Sequence, residues 1–315
     1  MDKKTTANQI NRRSFLKTGA KFASSAMILG LSGNKLFGRE NVSPANVAID
    51  MVTLNNGTKM PILGFGTLYL NEEKGASCVS DAISLGYRLL DTAMIYGNEA
   101  AVGAGIKMSS IKREELFITS KLWVDDSGYE KTKTAFEVSL KKLGTDYLNL
   151  YLIHRPRGDV KGSWKAMEEL YAAGRIKAIG VSNFDESQLK DLIDNNKVKP
   201  AVNQIETHAF FQVPNAYEYL KKYGVQMEAW SPFAEGRNGL FTNSELAAIG
   251  KQYNKTVAQV CLRWLYQRGI VAIPRSSQKA HMKENLEIFD FKLNEADMMK
   301  ISKLDLNKSQ FPEWT

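Results

Sequence analysis

Residues 147–183 read YLNLYLIHRPRGDVKGSWKAMEELYAAGRIKAIGVSN. Two β-rich apolar runs, Tyr147–His154 and Ala178–Asn183, flank the helix-patterned segment Ser163–Ala173, and Gly174 stands where that helix must stop. A strand, a helix and a second strand in this order predict two parallel strands with the helix laid over one face. The same alternation extends in both directions. Upstream, the runs Ile62–Gly66, Arg88–Ala93 and Leu116–Leu122 are separated by Glu72–Leu85, Glu99–Lys107 and Lys131–Leu143. Downstream, Pro200–Glu206, Val225–Pro232 and Ile270–Ser276 alternate with Glu186–Ile193, Pro214–Tyr223, and the pair Leu246–Tyr253 and Val257–Tyr266. Eight strands within roughly 230 residues predict a closed barrel. A doubly wound sheet would want G-x-G-x-x-G after an early strand; Gly64-Phe65-Gly66 does not continue that way. Val52–Met60, with Asn56-Gly57 at its centre, predicts a β-hairpin across the barrel bottom. Ala280–Phe289 and Glu295–Leu304 predict two closing helices. The fold class is α/β: a (β/α)8 TIM barrel with an N-terminal β-hairpin.

The chain has 315 residues, 43% hydrophobic and 24% charged, which excludes disorder and collagen-like repeats. Two cysteines cannot build a disulfide framework or a four-thiolate metal site. The formal charge of +8 raises the question of an anionic partner. Its distribution answers it. Residues 1–40 hold eight basic and two acidic residues, leaving 34 basic and 32 acidic for the rest. That first segment runs N-R-R-S-F-L-K from Asn11 to Lys17, then through a weakly apolar stretch from Ala20 to Gly33. Paired Arg12–Arg13 ahead of Phe15 and Leu16 resemble a twin-arginine signal, the address of a pathway that exports folded proteins. A basic tail or simple membrane anchor is the plainer alternative. The domain expectation is therefore an export leader at 1–45 and one barrel at 46–315, with a periplasmic or exported location, or a cytoplasmic one if the leader is not used. The body carries no basic stripe interleaved with aromatics, so no nucleic-acid partner is expected.

Barrel chemistry belongs to the C-terminal strand ends. The second strand ends in Asp91-Thr92-Ala93 with Tyr96 just beyond; the third contains Lys121, and the fourth ends in His154. A lysine and an aspartate inside apolar β runs are costly to bury unless paired, so they are expected to pair with each other. Singly, each has a bland role: Asp91 as a helix cap, Lys121 as a rim ion pair, His154 as a satisfied core residue. On consecutive strand ends they suit proton transfer to a developing alkoxide. A nearby ammonium should lower the Tyr96 phenol, Asp91 should hold Lys121, and His154 should donate to a carbonyl oxygen. No side chain here can deliver a hydride, so a redox cofactor is needed. A metal is not expected, because His154, His208 and His281 are the only histidines and lie far apart in sequence.

These residues resemble the aldo-keto reductase family, whose members are (β/α)8 oxidoreductases dependent on NAD(P)(H). The similarity runs through Leu63–Thr67, Asp91–Ala93 with Tyr96–Glu99, Lys121–Trp123, Asp146–Leu148 leading to His154, Gly180–Phe184, Val202–Glu206, Trp230–Pro232 and Ile273–Ser276, and ends at Glu284-Asn285. The resemblance implies a catalytic tetrad of Asp91, Tyr96, Lys121 and His154. It implies nicotinamide contacts from Ser182, Asn183 and Gln204, and stacking by Trp230. The pyrophosphate would lie along Ser231–Leu240, with Pro232, Phe233 and Glu235 near it. The adenosine 2′-phosphate region would use Arg275, Ser276, Ser277, His281, Glu284 and Asn285.

Departures from the family pattern bear on specificity. Arg275 stands where lysine is usual and can still meet a phosphate bidentately; His281 stands where NADPH-preferring members usually carry arginine. NADP(H) is expected through Arg275 and Ser276, with NAD(H) left open. Arg155 follows His154 where an uncharged residue is common: either a solvated rim charge or a cation serving an acidic substrate. Trp123 and Tyr69 are expected to wall an aldehyde pocket, and the short tail after Leu304 to cover little of the barrel mouth. That short tail resembles the microbial branch that includes 2,5-diketo-D-gluconate and broad aldehyde or ketoester reductases. The expected function is reversible reduction of small aldehydes or ketones by a monomer, with a non-catalytic cofactor-sensing subunit as the alternative.

Overall fold

The computed structural model describes residues 49–314. The export leader predicted at 1–45 lies outside these residues. Two antiparallel strands, β1 (Met51–Thr53) and β2 (Lys59–Pro61), form the predicted hairpin. Asn55 donates to the Pro200 carbonyl at 2.8 Å and Asn56 to the Lys177 carbonyl at 2.9 Å, which fastens the hairpin to the N-terminal ends of neighbouring strands.

Eight parallel strands follow in sequence order: β3 (Phe65–Gly66), β4 (Leu89–Asp91), β5 (Phe117–Leu122), β6 (Leu148–Ile153), β7 (Ile176–Ser182), β8 (Val202–Glu206), β9 (Gln226–Trp230) and β10 (Val271–Ala272). The sheet closes on itself, because Gly64 N–H donates to the Ala272 carbonyl at 2.8 Å and Ala272 N–H to the Ile62 carbonyl at 3.0 Å. Gly66 makes this seam fit: a Cβ there would meet the Ile273 carbonyl oxygen at 2.7 Å. The predicted barrel is present.

Helices cover the outside: α1 (Glu72–Leu85), α2 (Glu99–Ser109), α3 (Tyr129–Leu143), α4 (Val160–Ala172), α5 (Glu186–Asn195), α6 (Pro214–Tyr223), α7 (Ser244–Tyr253), α8 (Val257–Gln267), α9 (Lys279–Leu286) and α10 (Glu295–Ser302). Their ends follow local chemistry. Asn71 caps α1 by accepting from Lys74 N–H, and Gly86 closes it at φ 117°, where a side chain would be strained. The Asp159 side chain accepts from Gly162 N–H, so α4 begins ahead of Ser163. The core has two parts. Leu89, Phe117, Leu150, Leu152, Val202 and Val271 fill the barrel with Leu54 and Met60 of the hairpin. A larger layer, including Trp164, Trp264 and Phe136, lies between sheet and helices. Among the described residues no helix is long and apolar enough to cross a membrane.

Candidate active site

Strand register sets the site. Asp91 closes β4, opposite Thr119 of β5; Lys121 lies two residues further along β5, opposite Leu152 of β6. His154 directly follows β6, and a single turn, Met94–Tyr96, carries the tyrosine back over the rim. Lys121 is wholly buried, with its Nζ 2.5 Å from Asp91 Oδ1 and 2.9 Å from the Thr92 carbonyl oxygen. The same nitrogen lies 5.2 Å from the centre of the Tyr96 ring. His154 meets Tyr96 edge-on at 5.9 Å and Trp123 at 5.3 Å.

The electrostatics follow from this packing. Burial lowers the Lys121 pKa, but Asp91 and Tyr96 outweigh it and hold the ammonium above its ordinary pKa. Burial, with Lys121 and Arg155 close by, drives His154 well below the usual histidine range, so the ring is neutral. Its Nδ1 is buried without a hydrogen-bond partner among the described residues. Tyr96 departs from the sequence expectation. Burial raises the phenol more than Lys121 lowers it, and Asp91 adds to the rise, so Tyr96 keeps its proton at neutral pH. The lysine moderates the cost of ionising a buried phenol without reversing it.

One residue in this network is missed by the sequence reading. Glu228, on β9, is completely buried, and its Oε2 accepts from Gln204 Nε2 at 2.9 Å. The same amide nitrogen donates to Asp91 Oδ2 at 2.8 Å, so Gln204 bridges two buried carboxyl groups. Burial, aggravated by the charge on Asp91, pushes Glu228 up to about 8. Of the two bridged carboxyl groups, Glu228 is the one that burial favours in its protonated form, beside the Lys121 ammonium. The available sequence signal is a glutamate inside the apolar run Val225–Pro232, the same signal that marks Asp91 and Lys121.

Above the network opens a cavity of about 780 Å³. Asp91, Tyr96, His154, Ser182, Asn183, Gln204, Trp230, Ser231, Pro232, Phe233, Glu235 and Arg275 all line it. Ser182 Oγ donates to the Gln204 carbonyl at 2.8 Å, and Asn183 Nδ2 donates to Ser182 Oγ at 2.9 Å. Asn183 Oδ1 in turn accepts from Trp230 Nε1 at 2.9 Å, which fixes the indole against the cavity. Beyond β9 the chain runs through left-handed residues, Ser231, Ala234, Glu235 and Asn238 among them, in place of a regular element. Both expected wall residues, Tyr69 and Trp123, line the cavity.

The remaining predicted positions are not part of this lining. Ser276 Oγ is engaged with Gln278, and Glu284 accepts from Thr256 Oγ1 at 2.6 Å. Asn285 is buried beside the Tyr87 hydroxyl, while Ser277 and His281 are exposed on and just ahead of α9. His208 also sits away from the cavity, wholly buried and 3.0 Å from Glu206.

The tail corrects the expectation that it covers little. Trp314 lines the cavity and lies 5.6 Å from the Trp230 ring. Glu206 receives Ser309 Oγ at 2.6 Å and Gln310 N–H at 2.8 Å, and Arg237 pairs with Glu313 at 2.5 Å. So short a tail suffices because two buried or half-buried anchors, Glu206 and Arg237, hold residues 309–313 across the rim. Among the described residues no group of three or more histidine, cysteine, aspartate or glutamate side chains is arranged to hold a metal.

A model of the aldo/keto reductase family matches residues 54–306. Glyoxal reductase of Bacillus subtilis is 48% identical over 265 residues, covering 84% of this chain and 95% of that protein. Among solved structures, an aldo/keto reductase from Brucella melitensis superposes with a TM-score of 0.79 at 44% identity, over 82% of this chain and all of that one. A Bombyx mori aldo-keto reductase solved in complex with NADP gives a TM-score of 0.79 at 32% identity, over 83% of this chain and 94% of the other.

Proposed function

Because the chain belongs to the aldo/keto reductase family, we propose that it reduces small aldehydes or ketones to alcohols with NADP(H), Tyr96 giving the proton. The protein is an oxidoreductase acting between carbonyl and alcohol. The observation that carries the finer reading is the buried Lys121–Asp91 pair beneath a protonated Tyr96, beside a neutral His154, at the floor of one cavity. A neutral imidazole can donate to a carbonyl oxygen and so orient it. As the oxygen gains charge, Tyr96 passes its proton across, and the Lys121 ammonium favours the phenolate left behind. Asp91 holds that ammonium in place. Reduction of glyoxal and methylglyoxal, followed by loss of reduced-nicotinamide absorbance, tests the assignment; no turnover across an aldehyde panel would favour a cofactor-sensing role instead.

The donor set fits a nicotinamide dinucleotide. An indole face, the Asn183 and Gln204 amides and the Ser182 hydroxyl suit the nicotinamide end, and the Arg275 guanidinium suits a phosphate. Bound there, the reduced nicotinamide supplies the hydride. Among the described residues the exposed Arg275 guanidinium makes a single hydrogen bond, at 3.4 Å to the Tyr69 carbonyl, which leaves its charge available. Arg275→Gln should weaken NADPH binding about tenfold and NADH binding far less. Equal losses for both in a fluorescence titration would refute a 2′-phosphate role.

The leader reading is also proposed: Arg12–Arg13 would direct export of the folded, cofactor-loaded protein. A noncovalent cofactor survives export only if the protein folds around it first. Changing both arginines to lysine should retain the protein in the cytoplasm of its host. Unaltered distribution on fractionation would overturn this.

A further inference from the structure

The reacting end of the cavity holds a cation that the protein does not neutralise. Arg155 follows His154, lines the cavity and is half-buried. Among the described residues its guanidinium makes no hydrogen bond, ion pair or ring contact. Burial and the like charge of Arg157 both act against its ionised form, and Tyr96, which would favour it only as a phenolate, keeps its proton at neutral pH. A guanidinium nonetheless stays charged. Nearby charges are already committed. Asp91 is taken by Lys121 and Gln204, and Glu228 is neutral. Glu235 lies 4.0 Å from Arg237, on the loop beyond β9.

A half-buried, unpartnered cation in an aromatic-walled pocket is costly unless the ligand brings the counter-charge. Trp123, packed 5.3 Å from His154, lines the same end, and Tyr69, Phe241 and Trp314 add aromatic surface elsewhere in the cavity. We infer that Arg155 is a specificity-determining residue that binds the carboxylate of an oxo-acid substrate, while Tyr96 and His154 hold the carbonyl of the same molecule. The inference rests on the carbonyl-reductase reading for the identity of the reacting group. The carboxylate takes no part in the redox step. A bidentate guanidinium–carboxylate pair adds orientation to attraction, fixing which carbonyl oxygen faces Tyr96.

Two measurements separate this inference from the reading beneath it. Calorimetric titration of the protein with NADPH present compares 4-(hydroxymethyl)benzoate with its amide, a pair differing by one charge and unreactive toward reduced cofactor. The carboxylate should bind about ten- to hundredfold more tightly. Arg155→Gln should remove most of that preference, and Arg155→Glu should invert it. In turnover, the kcat/KM ratio of 4-carboxybenzaldehyde to methyl 4-formylbenzoate should fall by the same factor in Arg155→Gln, through KM. Equal binding of the two ligands by the unaltered protein, or a preference that Arg155→Gln leaves intact, overturns the anion site even where both aldehydes are reduced. A charge preference that Arg155→Gln abolishes, in a protein that turns over neither aldehyde, upholds the anion site and sinks the reductase reading instead.

Discussion

Tyr96→Phe should lower kcat for aldehyde reduction by roughly 10²–10⁴-fold, the range removed with a positioned general acid. The substitution deletes one hydroxyl and keeps the ring that packs 5.9 Å from His154 and 5.2 Å from Lys121 Nζ. Fold and cofactor affinity should therefore survive. Single-turnover kinetics and a nucleotide titration on the same preparation separate the two effects. A kcat within about threefold of the unaltered enzyme would rule Tyr96 out as proton donor. Weakened nucleotide binding alone would make it a binding residue. The pH profile carries the same logic. An acid must be protonated to act, and burial lifts this phenol above its ordinary value. Reduction should thus stay level through neutral pH and fall only in strong alkali. On the acid side, His154 is held well below the usual histidine range, so its protonation should not cut activity where an ordinary histidine titrates. A bell-shaped profile centred near neutrality would contradict both assignments.

The barrel and the buried polar cluster at its rim are legible because each rests on local, repeated signals. Short β-rich apolar runs alternating with helical patterns identify strands whatever their neighbours do, and a barrel sends every strand end to one rim. Asp91, Lys121 and His154 stand out as polar residues in apolar strands. Glu228 carries the same signal, but it lies two residues short of Trp230, the more conspicuous residue at the end of that strand. The tail escapes the sequence for a different reason. Its coverage depends on Arg237 and Glu206, whose positions follow from an irregular loop and from β8, and no periodicity in residues 307–314 encodes that docking. Helix α9 shows a similar limit. Its sequence does not say that Asn285 lies buried beside Tyr87.

Glu228→Gln should change how stability depends on pH, and the sign is fixed by the burial. Glu228 titrates in the folded protein at about 8, above its value in an unfolded chain. Between those values the native state holds a proton that the unfolded state has released, so this group's contribution is complete below about pH 4 and is lost as pH rises through about 8. Urea unfolding at pH 6 and pH 9 should show a loss on the order of 3 kcal/mol from this group alone. The amide introduced by Glu228→Gln cannot ionise, keeps the shape, and can still accept from Gln204. The variant's curve should be flatter and cross above the unaltered protein at about pH 9. Asp91 provides the control. In Asp91→Asn the like charge that adds to burial in keeping Glu228 protonated is gone, so the Lys121 ammonium should draw Glu228 toward ionisation and take it as counterion. In the double variant Lys121, wholly buried, has no carboxylate left in the barrel. Losing the last charged partner of a buried charge costs about 3–5 kcal/mol, so the pair should destabilise well beyond the sum of the single changes. Additive losses in that cycle would mean the two carboxyl groups do not share one lysine, and the charge assignment beneath Tyr96 would have to be redrawn.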